Sequence, residues 1–274
     1  DYYDHIEDYP VFPKVKPGEI RSMLPDHPPQ KGRQYEEILQ DMNTMMPGIT
    51  HWQSPNFHAF FPCATSGPAI LGDLISTGLG INGMNWITSP SATELESHVL
   101  DWLVDMMDLP KKFKSTEIGG GVLQDTASSS SLVALIAARE KTSKGEINKN
   151  GYNRKLIVYT SSQAHSSIEK AVKIAGIGKN NLRLVDVDDS FAMDVNHLRK
   201  LILQDIDNGL QPSYVCATVG TTSSTAIDPV EEIGLICKEF GIWLHVDAAM
   251  AGPAALCPEY RFINNGVEYA DSYT

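Results

Sequence analysis

The feature that most constrains this chain is a change of pattern at about residue 117, where strand-like and helix-like segments begin to alternate. "GGGVLQDTASSSSLVALIAARE" (119–140) reads as a glycine loop followed by a helix. "RKLIVYTSSQAHSSIEKAVKIAG" (154–176) reads as a strand, a polar turn and a helix. "YVCATVGTTSSTAIDPVEEIGLICKEFG" (214–241) repeats that plan, and "IWLHVDAAMAG" (242–252) opens the next strand. Strands alternating with helices at this spacing predict an α/β fold with a mainly parallel sheet. In such sheets ligands bind beyond the carboxyl ends of the strands.

The segment before that domain differs. Residues 1 to about 35 are rich in proline and charge, which predicts an extended arm, because proline removes backbone donors and blocks regular ladders. A helix is expected around "QYEEILQDMNTMM". "SATELESHVLDWLVDMMDL" has helical spacing, with Ser91 and Glu94 as a capping box. The predicted organisation is therefore an arm and helix over 1–60, packing on a dimer partner, and a large domain over 61–274. The chain opens on Asp1 without methionine and stops at "YADSYT", which reads as the run-in to another element, so a fragment or processed chain is expected.

A net charge of −12 argues against nucleic acid or an anionic membrane as partner. No apolar run approaches the ~18–20 residues of a membrane-spanning helix. Four scattered cysteines without a CxxC pair fit free thiols in a reducing cytoplasm better than disulfides or a zinc site.

Four motifs fall at strand ends or helix starts. Thr126, Ala127 and Ser128 stand where a helix should begin; its unpaired N–H groups suit a phosphate, although plain N-capping explains the same residues. His165 lies in the turn after a strand, with Ser166 and Glu169 as a capping pattern; such an imidazole stacks on a planar ligand, or is simply solvated. Gly220, Thr221 and Thr222 line a site or merely make a turn. Asp247 shares a strand face with His245, and an unpaired buried carboxylate is costly. Its partner is either a core Arg or Lys, or a cationic ligand nitrogen. Together the four describe the needs of a phosphorylated pyridine ring, whose nitrogen a carboxylate keeps protonated.

With these residues in place, the chain resembles the group II pyridoxal-phosphate-dependent decarboxylases, which include the aromatic L-amino acid, tyrosine and histidine decarboxylases. The matching stretches are "MPGITHWQSPNFHAFFP", "SPSATELE", "GGGVLQDTAS", "SSQAHSSIEKA", "VGTTSSTAID", "WLHVDAAMAG" and "CPEYRFINNGVEYADS", in family order. The resemblance implies a fold-type-I transferase-like large domain and a homodimer with active sites at the interface. It implies that pyridoxal 5'-phosphate is the cofactor, with Asp247 on the pyridinium nitrogen and His165 stacked on the ring. Thr126, Ala127 and Ser128 would serve the phosphate, and Thr222 and Ala249 would touch the cofactor. Trp52, Phe60, Phe61, Pro62 and Cys63 would wall the substrate pocket, with Asn82 and Met84 coming from the partner subunit.

Some positions depart from the family pattern. Cys63 stands where threonine is frequent, Met250 replaces a frequent tyrosine, and Met84 replaces an aromatic residue. The family's cofactor-anchoring lysine follows shortly after the "YADS" motif, and the chain ends at Thr274 before it. The activity implied is decarboxylation of an aromatic L-amino acid (DOPA, tyrosine, tryptophan or 5-hydroxytryptophan) to its amine. The alternatives are histidine decarboxylation, suggested by His58, aromatic aldehyde synthesis, and a non-catalytic fragment that keeps the pocket without its lysine.

Overall fold

The computed structural model describes residues 2–59, 65–152 and 155–274. Contacts divide the chain into two compact units, Asp1–Ile81 and Asn82–Thr274. The helix Gly67–Leu79 lies in the first of these units.

The first unit carries helices α1 (Glu19–Met23), α2 (Tyr35–Met45) and α3 (Gly67–Leu79). Its proline-rich start forms no strand among the described residues, as the missing donors require. Gln34 and Glu37 close a capping box at the start of α2. Around the buried His51 an aromatic cluster gathers: the Tyr2 hydroxyl lies 2.6 Å from Nδ1, and the Tyr9 ring stacks at 4.8 Å.

The second unit adds α4 (Pro90–Met106), α5 (Ala127–Ser143), α6 (Glu146–Asn150), α7 (Ser167–Ile174), α8 (Val195–Asp207) and α9 (Val230–Phe240). Its sheet contains β1 (Leu156–Ser161), β2 (Leu182–Val185), β3 (Gln211–Thr218), β4 (Trp243–Asp247) and β5 (Ser272–Tyr273). The strand order is β2-β1-β3-β4-β5, and every pairing is parallel. The parallel α/β architecture expected from the alternation is therefore present.

Alternation along the strands splits the core into two layers. Ile157, Tyr159, Val215, Ala217, Leu244 and Val246 point one way, onto Leu198 and Ile202 of α8 and Ile233 of α9. Val158, Tyr214 and Cys216 point the other way, onto Leu135 and Ala138 of α5 and Ile168 and Val172 of α7. Strands buried on both faces read as near-continuous apolar runs, and β1 is buried along its whole length.

Two predicted caps do not form. Helix α4 starts at Pro90, so Ser91 falls inside the first turn, and Glu94 accepts the Trp86 indole N–H at 2.9 Å. Ser166 has helical backbone angles (φ −59°, ψ −10°) and makes no side-chain cap, while Glu169 pairs with Lys173 and Lys179.

Candidate active site

The parallel sheet places the carboxyl ends of β1, β3 and β4 on one rim, and three of the four motifs lie there. The fourth is the start of α5, which packs against β3 and β4. A cleft of about 510 Å³ joins Gly120, Gly121 and Ser130 to Ala248 and Ala249 after β4.

Asp247 ends β4 and is 6% exposed. Thr218 is its register partner on β3. Its Oδ1 accepts the Ala249 N–H at 3.2 Å, and no Lys or Arg forms an ion pair with it among the described residues. The structural ion pair considered from the sequence is thus not seen there. Burial pushes its carboxyl above the usual range, while the Ala249 N–H and the field of His165 act in the opposite direction. His165, in the turn after β1, and Asp247, at the end of β4, lie on the same rim of the parallel sheet.

At α5 the N-cap is Thr126, whose Oγ1 accepts the Ser129 N–H at 3.2 Å while Ser129 Oγ accepts the Thr126 N–H. Capping uses the Ser129 amide and leaves those of Ala127 and Ser128, at the first two helical positions, turned to the helix entrance. A helix N-terminus with spare amides suits a dianionic phosphate.

After β3 the chain turns sharply. The Gly220 and Thr221 amides both donate to the Ala226 carbonyl at 3.0 Å. Gly220 has φ +80°, and a Cβ there would stand 2.7 Å from the Ala251 Cβ, so only glycine lets this turn lie against the loop after β4. Thr221 is buried and bonds within the turn, which leaves the exposed Thr222 as the hydroxyl of this motif open to a ligand.

The remaining predicted positions are scattered. Asn82 Oδ1 accepts the Met84 N–H at 3.0 Å, and Met84 is 73% exposed. Trp52 belongs to the first unit, with its ring 4.7 Å from that of Phe57. Phe60, Phe61, Pro62 and Cys63 lie outside the described residues.

Two groups had no readable signal. Ser272 Oγ lies 2.9 Å from His245 Nδ1 and accepts the Trp243 indole N–H at 2.8 Å. Asp228 is buried beneath the turn and accepts the Met193 N–H at 2.8 Å and the Thr218 N–H at 2.7 Å. It thereby holds the end of β3 beside Asp247.

A phosphate-ready helix start, an imidazole on the same rim and a buried carboxylate without a Lys or Arg partner among the described residues fit a phosphorylated pyridine. They define a parallel α/β protein with a site suited to a pyridoxal-type cofactor. Residues 17–274 match the pyridoxal-dependent decarboxylase conserved domain, and the chain belongs to that family.

The chain is 48% identical to phenylacetaldehyde synthase of Arabidopsis thaliana, covering 100% of this chain and 56% of that protein. It is 47% identical to tyrosine/DOPA decarboxylase 2 of Papaver somniferum, over 100% of this chain and 52% of that one. The crystal structure of Catharanthus roseus tryptophan decarboxylase with L-tryptophan superimposes with a TM-score of 0.93 at 44% identity, over 100% of this chain and 59% of that one. The chain thus spans between half and three fifths of the length of these relatives.

Proposed function

We propose that the protein is a pyridoxal-phosphate enzyme that removes the α-carboxylate of an aromatic L-amino acid, releasing carbon dioxide and the amine. The observation that carries this is Asp247, a buried carboxylate at a strand end with no Lys or Arg paired to it among the described residues. Bound there, pyridoxal phosphate supplies a ring that accepts the electron pair left when the Cα–carboxylate bond breaks.

The chain's own residues do the rest. Thr126, Ala127 and Ser128 hold the phosphate at the start of α5. Asp247 would accept the pyridinium N–H at its carboxylate and keep that proton in place. His165 would cover one face of the cofactor ring, and Thr222 and Ala249 would complete its surroundings. In this reading Asn82 and Met84 would serve the neighbouring subunit's site.

A homodimer is part of this reading. Apolar side chains stand exposed on α3 (Leu71, Leu74, Leu79), and the Ile87 side chain is exposed before α4, as on surfaces that meet a second copy. The reading also places the enzyme in the cytoplasm, supported by the free thiols of Cys216, Cys237 and Cys257. Among the described residues no helix is long and apolar enough to cross a membrane.

The test is release of carbon dioxide and amine by the full-length protein from DOPA, tyrosine, tryptophan, 5-hydroxytryptophan and histidine. Asp247→Ala is expected to lower turnover on the order of 100- to 1,000-fold or more, the scale set by losing one preorganised charge. Near-normal turnover in that variant would remove Asp247 from the mechanism. Because one relative is named an aldehyde synthase, peroxide and ammonia are measured in parallel. Peroxide matching carbon dioxide mole for mole would replace simple decarboxylation by aldehyde synthesis.

A further inference from the structure

We infer that the backbone N–H of Ser167 fixes the tautomer of His165, so that the imidazole serves the site as a hydrogen-bond donor through Nε2. The inference rests on the proposed function for its chemical meaning, but the tautomer itself stands on geometry.

Ser167 N lies 3.2 Å from His165 Nδ1. An amide nitrogen only donates, so Nδ1 must accept, and the neutral ring carries its proton on Nε2. The local chain explains why this bond exists. The first amides of a helix lack intrahelical partners. At α7 the residue in the N-cap position, Ser166, has helical angles and offers no side-chain cap. The imidazole takes over that task from one residue further back. Ser167 is itself only 2% exposed, so water competes poorly for its amide. The His165 carbonyl is engaged in the same turn, accepting the Ile168 N–H at 3.3 Å. Backbone and ring of His165 are thus both tied to the first turn of α7.

The consequence is a definite role. With Nδ1 occupied, Nε2–H is what the ring offers to the site, and it offers a donor. The chemistry it recognises is an anionic oxygen, supplied either by the substrate carboxylate or by the ring oxygen of the cofactor. A neutral Nε2–H imidazole holds a hydrogen bond to such an oxygen and does not act as a base there. Ser167 is accordingly a positioning residue that acts through His165.

The experiment is magic-angle-spinning 15N spectroscopy of the full-length protein labelled at the histidine rings, with the His165 signals assigned by their loss in His165→Gln. A protonated Nε2 and an unprotonated Nδ1 are expected; a protonated Nδ1 alone overturns the inference without any variant of Ser167. Ser167→Ala removes the side-chain hydroxyl alone; Ser167→Pro removes the hydroxyl and the amide hydrogen together. In that variant the His165 signals should move to a mixture of tautomers, while Ser167→Ala, which keeps the amide, should match the wild type. An unchanged pattern in a folded Ser167→Pro protein overturns the inference. Turnover of Ser167→Pro should fall about tenfold in kcat with KM little changed, the scale of one hydrogen bond. To separate the substrates of the bond, the spectra are repeated with cofactor alone and with a substrate analogue lacking the carboxylate. If the Nε2–H tautomer is found but no amino acid releases carbon dioxide, the proposed function fails and the tautomer assignment is upheld.

Discussion

His245 and Asp247 are two residues apart on one face of β4, and burial drives both toward neutrality from opposite directions. The fully buried imidazole is pushed down to about 3, and the Asp247 carboxyl is pushed up. Only Asp247 stands at the strand end, where a ligand cation can restore its charge. His245 is left as a neutral core group whose partner is Ser272. Ser272 Oγ accepts the Trp243 indole N–H and shares a second hydrogen bond with His245 Nδ1, whose direction follows the imidazole tautomer. Replacing Ser272 by alanine therefore strands two polar groups together, at a cost of about 1–3 kcal/mol. Urea denaturation should show a lower midpoint with an unchanged slope; an unchanged midpoint would mean that the serine is dispensable. Alternation along the strand was enough to place His245 and Asp247 on one face. Ser272 was not legible, because its role arises from pairing with a strand 27 residues away, and no local pattern encodes that.

Among the elements, the caps separate what local sequence decides from what it does not. Thr126 caps α5 as its position suggested, whereas Ser91 and Ser166 carry the same signature and do not cap. The difference is backbone conformation: Thr126 is extended (φ −150°, ψ 160°), Ser166 is helical, and Pro90 moves the start of α4 ahead of Ser91. A cap needs an extended residue before the helix, and composition alone does not supply one. Thr126→Ala should accordingly lower stability by about 1 kcal/mol and weaken retention of inorganic phosphate or cofactor, read by calorimetry. The turn after β3 is more demanding. Gly220→Ala would place a methyl group 2.7 Å from the Ala251 Cβ, in a backbone region costly to other residues. Together these should cost about 2–4 kcal/mol and loosen cofactor binding by moving the loop after Asp247. A Gly220→Ala protein as stable as the wild type would show that the two loops move apart freely.

At the scale of the whole molecule, the parallel sheet was legible because its central strands are apolar on both faces and their helices recur at regular spacing. The edge strand β2 was not: it is four residues long, half-exposed, and Leu184 faces solvent. Asp228 was hidden for a related reason. A carboxylate before proline reads as a surface turn, yet the fold buries it and engages both oxygens with amides 35 and 10 residues away in sequence. Those amides favour the ionised form, but burial dominates and pushes the carboxyl up to about 6. The unfolded value is near 3.8. Between these limits the folded protein holds a proton that the unfolded chain has released. The stabilisation from this group is therefore full below about pH 4 and is lost as pH rises through about 6, with a span of roughly 3 kcal/mol. Asp228→Asn removes the titration and also turns an amide donor toward one of the two N–H groups, a pH-independent penalty of about 1–3 kcal/mol. Melting temperatures of both proteins across pH 4–7 should thus differ most at the acid end, with the wild type's advantage shrinking as pH rises to 6 and constant above it. A difference that stays flat, or grows with pH, would mean that Asp228 is ionised throughout and holds β3 in place by its charge.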